Sequence, residues 1–168
     1  MQNILIIRSV SYQQLDTNLL HILAAFPPGS RIHLLTHEHG AAQARAMSGI
    51  DDVHVYPHRA GFHWHLRVPQ LGVNRYDAVV IPVTNLTGSG FNNVMLYSLT
   101  LNTLKRVMCN VRGELSERTS LSILGKTLQY RIYAALAACG AVLAGIVAIP
   151  VLLLWILRQA RHPRPVQK

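Results

Sequence analysis

The sequence predicts an α/β protein: a Rossmann-like parallel sheet of about five strands flanked by helices, followed by one C-terminal transmembrane helix. Two observations carry this prediction. Residues 1–118 alternate short apolar runs with amphipathic stretches over short connections, which is typical of a parallel sheet covered by helices. Residues 132–157 then contain no charged side chain, and about 20 apolar residues suffice to cross a bilayer core as a helix.

Five apolar runs are the predicted strands. The first, at 3–8, is apolar without alternation, as expected of a strand that is buried on both faces of a parallel sheet. The others lie at 31–36, 52–57, 76–84 and 105–111. Ligands of such sheets bind outside the carboxyl ends of the strands, so the loops after the strands are where a site is expected.

Helical patterns separate these runs. Ser11 and Gln14 form a capping-box pattern ahead of an apolar stripe, which Pro27 ends. The other predicted helices are a short alanine-rich helix at 41–47, a helix at 91–103 and an amphipathic helix at 119–131.

Four segments follow from this pattern. They are a Rossmann-like cytosolic domain at 1–118, a juxtamembrane amphipathic helix at 119–131, a transmembrane helix at 132–157 and a basic tail at 158–168. Tyr133 and Trp155 lie near the two ends of the apolar run, where amphipathic rings favour the headgroup layer. The alternative is a buried core helix of a soluble protein, but such helices rarely run this long without a polar residue.

The distribution of charge indicates a membrane partner and no nucleic acid. Residues 111–168 carry eight Lys/Arg against two Asp/Glu, or +6 of the total net charge of +9, and these basic residues flank the apolar run. A nucleic-acid-binding domain would instead concentrate its positive charge on one face of the folded part.

The orientation in the membrane is predicted from the N-terminus. Four basic residues stand on each side of the apolar run, so the positive-inside rule does not choose between the orientations. The N-terminus lacks the basic and apolar regions of a signal peptide. We therefore expect a single-pass protein of the inner (cytoplasmic) membrane with residues 1–118 in the cytosol. The tail then has to cross the membrane; a helix that enters the bilayer without crossing it is the alternative.

Small side chains recur along the predicted transmembrane helix. Ala137, Ala141 and Gly145 are four residues apart and form one smooth stripe on which another helix can pack closely. This predicts association with a membrane-associated protein partner or with a second copy of the chain. The alternative is that alanine is simply common in membrane helices.

A loop rich in glycine and hydroxyl groups follows the fourth predicted strand. Such a loop can present backbone N–H groups to a phosphate where it enters a helix, although it is neither a Walker A loop nor a dinucleotide-binding GxGxxG motif. The alternative is a turn that caps the helix and binds nothing. The candidate ligand-binding residues, here and after the first strand, are Ser9, Ser11, Thr84, Asn85, Thr87, Gly88, Ser89, Gly90, Asn92 and Asn93.

Nine histidines are unusual in a chain of this size, and five of them, including His58, follow predicted strands. His37 and His39 follow the second strand, and His63 and His65 follow the third, so these four are candidate metal ligands. Their spacing fits no established zinc motif, and solvated or structural histidines are the alternative. His33 and His54 lie inside strands, where side chains on a face of the sheet are expected.

The chain resembles a known family in two places. The first strand leading into Arg8-Ser-Val-Ser11, and the later run Tyr76-Asp-Ala-Val-Val-Ile81, resemble the N-terminal half of GT-B glycosyltransferases of the heptosyltransferase type. The resemblance covers residues 1–118 and implies a half-transferase fold with an acceptor-binding face. The family's Gly-Asp pair, whose Asp is the catalytic base, falls on Gln13 and Gln14. The resemblance does not extend to the family's second, sugar-nucleotide-binding domain.

Two functions are consistent with these features. The first is a membrane-anchored, non-catalytic glycosyltransferase-like subunit that supports cell-envelope glycan or lipid-linked sugar assembly by binding a partner enzyme or acceptor. The alternative is a small membrane-bound enzyme or nucleotide-binding protein for glycosyl transfer, which uses the carboxyl-edge loops. No residues are spaced as a catalytic set, which favours the first. No cofactor is expected, and a sugar nucleotide or a phosphorylated lipid is the candidate ligand. A third hypothesis is a membrane-tethered scaffold protein with no role in glycan assembly.

Overall fold

The computed structural model describes residues 1–161, with side chains to residue 158. It confirms an α/β architecture with a mostly parallel sheet and a long apolar helix at the C-terminal end. The elements in chain order are β1 (Asn3–Ile7), α1 (Tyr12–Ala25), β2 (Arg31–His37), a 3₁₀ turn (Glu38–Gly40), α2 (Ala41–Arg45), β3 (Asp52–Tyr56), α3 (Pro69–Val73), β4 (Arg75–Pro82), α4 (Asn92–Ser98), β5 (Asn102–Cys109), β6 (Leu115–Glu117) and α5 (Ser120–Arg161).

The six strands form one sheet in the order β3-β2-β1-β4-β5-β6. The first five strands are parallel, and β6 pairs antiparallel with β5. Strand β1 is central, since Ile4 pairs with Ile32 of β2 on one side and with Ala78 of β4 on the other. The chain winds outward in both directions from β1 and β4, so the loops after these two strands diverge and leave a crevice at the carboxyl edge.

The central strand is buried on both faces, as its unbroken apolar run predicts. Ile4 and Ile6 belong to the core under α1 and α2, whereas Leu5 and Ile7 belong to the core under α3 and α4. All four side chains are fully buried. Successive residues of a strand point to opposite faces, so a strand between two helical layers needs an apolar residue at every position.

Helix α1 lies where it is predicted, with the Ser11 half of the capping-box pattern formed, while the Gln14 amide donates to the Asn18 side chain at 2.8 Å. The Ser11 hydroxyl accepts a hydrogen bond from the Gln14 backbone N–H at 3.3 Å and caps the helix. The buried stripe includes Leu15, Leu19 and Ile22, and the helix ends at Ala25, ahead of Pro27.

The predicted helix at 91–103 is wrong at its C-terminal end. Helix α4 ends at Ser98, and β5 begins at Asn102, because local hydrogen bonds turn the chain between them. The Ser98 hydroxyl donates to the Met95 carbonyl at 2.6 Å, and the Thr100 hydroxyl donates to the Tyr97 carbonyl at 2.8 Å. The helix therefore ends through these side-chain hydrogen bonds, without the glycine or proline that usually indicates a helix end in a sequence.

Two short elements are additional to the prediction, so the sheet has six strands rather than about five. Helix α3 begins at Pro69, whose fixed backbone angle suits the first turn of a helix. Strand β6 is reached by a tight turn in which the Asn110 side-chain oxygen accepts from the Arg112 and Glu114 backbone N–H groups at 2.9 and 3.0 Å. A strand of three residues is too short for its alternation to show in the sequence.

The chain divides into two compact units, residues 1–125 and 126–168. Helix α5 begins in the first unit, where Ile123 is buried in the core between the sheet and α3 and α4. The predicted helices at 119–131 and 132–157 are one continuous helix of 42 residues with Pro150 inside it.

The described part of the second unit is the remainder of helix α5, residues 126–161. Its helix is long and apolar enough to cross a membrane, and none of its most apolar stretch is buried in the structure, unlike the core helix of a soluble protein. Ala137 and Ala141 are exposed on it, and Gly145 is half-buried. Of the predicted basic tail, residues 162–168 lie outside the described part of the chain.

Candidate functional site

A cleft of about 520 Å³ opens at the carboxyl edge of the sheet, where β1 and β4 diverge. It is built from the loops after the first four strands, which is where ligands bind in open α/β sheets. Its walls are formed by Arg8, Ser9, Val10, His37, His39, Arg59, Gly61, Phe62, Gly90, Phe91, Asn93 and Val94.

Arg8 is held firmly at the floor of this cleft. Its Nε donates to the Thr36 hydroxyl at 2.8 Å, and its Nη1 donates to the Val10 carbonyl at 3.2 Å. Its guanidinium lies over the Tyr12 ring, 4.6 Å from the ring centre. Among the described residues, no carboxylate lies within ion-pair distance of Arg8. The guanidinium is therefore positioned by the uncharged Thr36 hydroxyl, the Val10 carbonyl and the Tyr12 ring.

His37 lies beside Arg8 and is neutral at pH 7. Its Nε2 donates to the Ala60 carbonyl at 3.1 Å, and its ring packs 4.7 Å from that of Phe62. Burial lowers the pKa of His37, and the charges of Arg8 and His39 lower it further, while the bond to the Ala60 carbonyl acts in the opposite direction. The cleft thus takes its positive charge at neutral pH from arginine.

The charge of the lining has one sign. Arg8 and Arg59 carry it, and no Asp or Glu stands among the lining residues that the structure describes. The neighbouring Glu38 is exposed on the 3₁₀ turn and does not line the cleft. A cleft with cationic walls concentrates anions, and the planar guanidinium group matches the oxygens of a phosphate or a carboxylate. The site is suited to an anionic ligand.

Three of the ten predicted ligand-binding residues line this cleft: Ser9, Gly90 and Asn93. The Ser9 hydroxyl donates to the Pro82 carbonyl and so ties the end of β1 to the end of β4. Gly90 has a φ of +85° with open space around its Cα, so a glycine here is favoured by the backbone conformation. Asn93 is exposed at the start of α4.

The other predicted loop residues are engaged in the turn itself. The Asn85 side-chain oxygen accepts from the Thr87 and Gly88 N–H groups at 3.2 and 2.6 Å, and its amide donates to the Ser89 carbonyl at 2.7 Å. The Thr87 hydroxyl accepts from the Ser89 N–H at 3.3 Å. These N–H groups are used within the loop, which favours the interpretation as a turn.

The remaining three predicted residues do not line the cleft. Thr84 is exposed after β4, Ser11 caps α1, and Asn92 is half-buried at the start of α4. The residues that carry the charge, Arg8 and Arg59, are not identified by the sequence pattern, because 51 positions separate them and only the strand order brings them together.

The four histidines predicted as metal ligands form two pairs. The His37 and His39 rings stack 5.7 Å apart in the cleft, and the His63 and His65 rings lie 5.4 Å apart in the loop after β3. Within the described residues, no three of these four bring their nitrogen atoms within 4.8 Å of one another. The structure instead gathers His33 and His54, both on the face of the sheet as expected, around Asp52.

Comparison with known proteins identifies no relative of this chain. No family model matches this chain, and no curated protein or solved structure matches it either. The resemblance to GT-B glycosyltransferases stays a prediction.

Proposed function

We propose that this chain is a membrane-anchored binding protein whose Rossmann-like domain holds a phosphate-bearing ligand in the carboxyl-edge cleft. The observation that carries the proposal is the lining of the cleft: Arg8 and Arg59 at the point where the strand order reverses, without a carboxylate among the described lining residues. Phosphates carry negative charge and pairs of oxygens that the planar guanidinium group can bind through two hydrogen bonds.

The size and the walls of the cleft favour a phosphate attached to a larger group. A volume of about 520 Å³ lies within the range of ordinary small-molecule sites, roughly 300–1,000 Å³. The half-buried Phe91 supplies apolar surface beside the arginines, against which a sugar or a nucleobase can pack, and Phe62 is buried behind the wall of the cleft. A sugar nucleotide and a phosphorylated lipid headgroup both combine these features.

Binding is favoured over catalysis. Glycosyl transfer of the kind the resemblance implies needs a carboxylate base, and the aligned positions hold Gln13 and Gln14. These two side chains lie in α1 rather than in the lining of the cleft, and Gln14 donates to Asn18 at 2.8 Å. A non-catalytic subunit that supports cell-envelope glycan or lipid-linked sugar assembly fits this combination, and its link to glycans depends on the resemblance alone.

The apolar helix supports the anchoring part of the proposal. Residues 132–157 span about 39 Å as a helix, at 1.5 Å per residue, against a hydrocarbon core of ~30 Å. Leucine, isoleucine and valine side chains are exposed along it, which stabilises the helix in lipid and not in water. The stripe of Ala137, Ala141 and Gly145 is the surface proposed for a protein partner or a second copy.

Equilibrium binding tests the ligand. We expect the full chain in detergent micelles to bind a sugar nucleotide, in competition with inorganic phosphate and more weakly as salt rises. Arg59→Gln should weaken binding at least about tenfold, since hydrogen bonds to charged groups are worth about 1.5–3 kcal/mol. Arg67→Gln is the matched control, because Arg67 is exposed on the same loop and does not line the cleft. Equal affinity of both variants would overturn the site, and turnover of the ligand would favour the enzyme alternative.

Membrane extraction tests the anchor. The full chain should stay with membranes in alkaline carbonate, whereas a chain that ends at Gly125 should be found in the supernatant. The cut is placed there because Ile123 is part of the core, and a cut at Arg118 would remove it. Recovery of the full chain in the supernatant would contradict the anchoring helix.

A further inference from the structure

Three side chains of metal-ligand type converge on the face of the sheet between β2 and β3. His33 Nδ1 lies 3.5 Å from Asp52 Oδ2, His54 Nε2 lies 3.6 Å from the same oxygen, and the two nitrogens are 3.3 Å apart. Within the described residues, this is the one group of three His, Cys, Asp or Glu side chains whose ligand atoms all lie within 4.8 Å. From this geometry we propose that His33, Asp52 and His54 bind a zinc(II) ion.

The triangle of ligand atoms has the dimensions of a zinc site. Zinc bonds to histidine nitrogen and carboxylate oxygen measure about 2.0–2.2 Å, so neighbouring ligands of a tetrahedral ion are about 3.3–3.6 Å apart. The three separations of 3.3, 3.5 and 3.6 Å fall in this range. An ion can therefore sit at bonding distance from all three atoms with little movement of the side chains.

The strands hold these side chains in place. His33 pairs with Asp52 across the two strands, and Asp52 and His54 are two residues apart on β3, so both point to the same face. The imidazole rings of His33 and His54 stack at 12° with centres 5.4 Å apart, and the Tyr76 ring contacts His33 edge-on. Ligands on paired strands are fixed more firmly than ligands on loops.

A cavity beside the three side chains leaves room for a fourth ligand. His33 and Asp52 line a cavity of about 350 Å³, whose other walls include Arg31, Asn74 and Arg75. Three protein ligands and an open position are the arrangement of catalytic zinc sites, in which the fourth ligand is water or substrate. The positive charge of Arg31 beside the site opposes the ion, so we expect weaker binding than at a closed four-ligand site. The same charge favours an anion as the fourth ligand.

This site is separate from the anion cleft. His33 and His37 lie four residues apart on β2, a distance of about 13 Å at 3.3 Å per residue. Asp52 is the first residue of β3, whereas the cleft is built from residues beyond the strand's other end. The zinc proposal can therefore be tested independently of the phosphate-bearing ligand proposed for the cleft.

A zinc titration of the full chain tests the site. The protein is prepared without a histidine tag, in detergent micelles, is freed of metal with EDTA and is titrated with zinc chloride in a calorimeter. We expect one zinc per chain for the wild type, and binding at least about tenfold weaker for His54→Gln and Asp52→Asn. Loss of a residue that only hydrogen-bonds to a metal ligand already lowers metal affinity by roughly tenfold or more, so loss of a ligand should cost at least as much. The matched control is His63→Gln with His65→Gln, which removes a neighbouring histidine pair and should bind zinc like the wild type.

Two results would overturn the proposal. Either the wild type takes up no zinc, or His54→Gln binds it as the wild type does; in both cases the three side chains form a hydrogen-bonded cluster without an ion. Circular dichroism shows whether each variant is folded. Cobalt(II) absorption by the wild type is a second, variant-free measurement, because a four-coordinate site gives an intense visible band and a six-coordinate aquo ion does not. Absence of that band contradicts the site, and its loss on adding zinc supports it.

Discussion

Strand β2 carries a histidine near each end, and the two have opposite surroundings. His33, near the amino end, faces the carboxylate of Asp52, whereas His37, at the carboxyl end, faces the guanidinium of Arg8. Burial lowers the pKa of both imidazoles, so both are neutral at pH 7. The difference between the two ends therefore lies in the fixed charge beside each histidine. Asp52 and a second histidine favour a cation at one end although Arg31 lies nearby, and Arg8 and Arg59 favour an anion at the other.

The largest expected effect is a separation of the two ligands by charge. Arg59→Glu places a negative charge in the cleft and should abolish measurable binding of a sugar nucleotide, while zinc binding stays as in the wild type. His54→Gln should do the reverse, since it removes a zinc ligand and leaves the cleft lining intact. Binding of both ligands by both variants is the measurement. Loss of both ligands in either variant would show that the two ends are not independent.

A smaller loss of affinity is expected when the buried Thr36 hydroxyl, which accepts from Arg8, is removed. Thr36 is fully buried and accepts from Arg8 Nε at 2.8 Å, so Thr36→Val keeps the shape and removes the acceptor. Leaving a polar group unsatisfied costs about 1–3 kcal/mol, which chemical unfolding should show. Because Arg8 is then less firmly oriented, the affinity for inorganic phosphate should fall several-fold, with zinc binding unchanged. Unchanged phosphate affinity would show that Thr36 does not position Arg8.

The smallest effect is on the pH dependence of stability. The pKa of His37 in the fold lies below its ordinary value of 6.5, so the unfolded chain binds more protons than the folded chain in the interval between the two values. The contribution of His37 to stability is thus complete above about pH 6.5 and is lost as the pH falls through the folded pKa. Metal-free His37→Gln should lose less stability than the wild type between about pH 7 and 5. An equal loss in both proteins would contradict the burial of a neutral imidazole.

The sequence was sufficient to predict elements that local patterns specify. Strand β1 is an unbroken apolar run, and α1 has a side-chain cap and a proline stop, so both were placed nearly as the structure has them. The end of α4 could not be placed in this way, because Ser98 and Thr100 turn the chain through hydrogen bonds to carbonyls that any helix offers. Only pairing of β5 with β4 decides where the strand begins.

The anion cleft and the proposed zinc site depend more strongly on the order and register of the strands than the individual helices and strands do. Ser9, Gly90 and Asn93 were predicted because they follow strands, but Arg59 gains a role only when the loop after β3 reaches the opening beside β1. Asp52 and His54 show the two-residue spacing of one strand face in the sequence. Their meeting with His33 requires the register between β2 and β3, which no local pattern encodes.

Hydrogen exchange of the full chain, with and without a saturating sugar nucleotide, tests the central claim most directly, because it locates the ligand without altering a residue. We expect slower exchange at the segments that line the cleft, 8–10, 37–39, 59–62 and 90–94, and no change at 52–54 near the other end of the strands. Unchanged exchange at all four cleft segments, or slowing confined to 52–54, would contradict a phosphate-bearing ligand in the carboxyl-edge cleft.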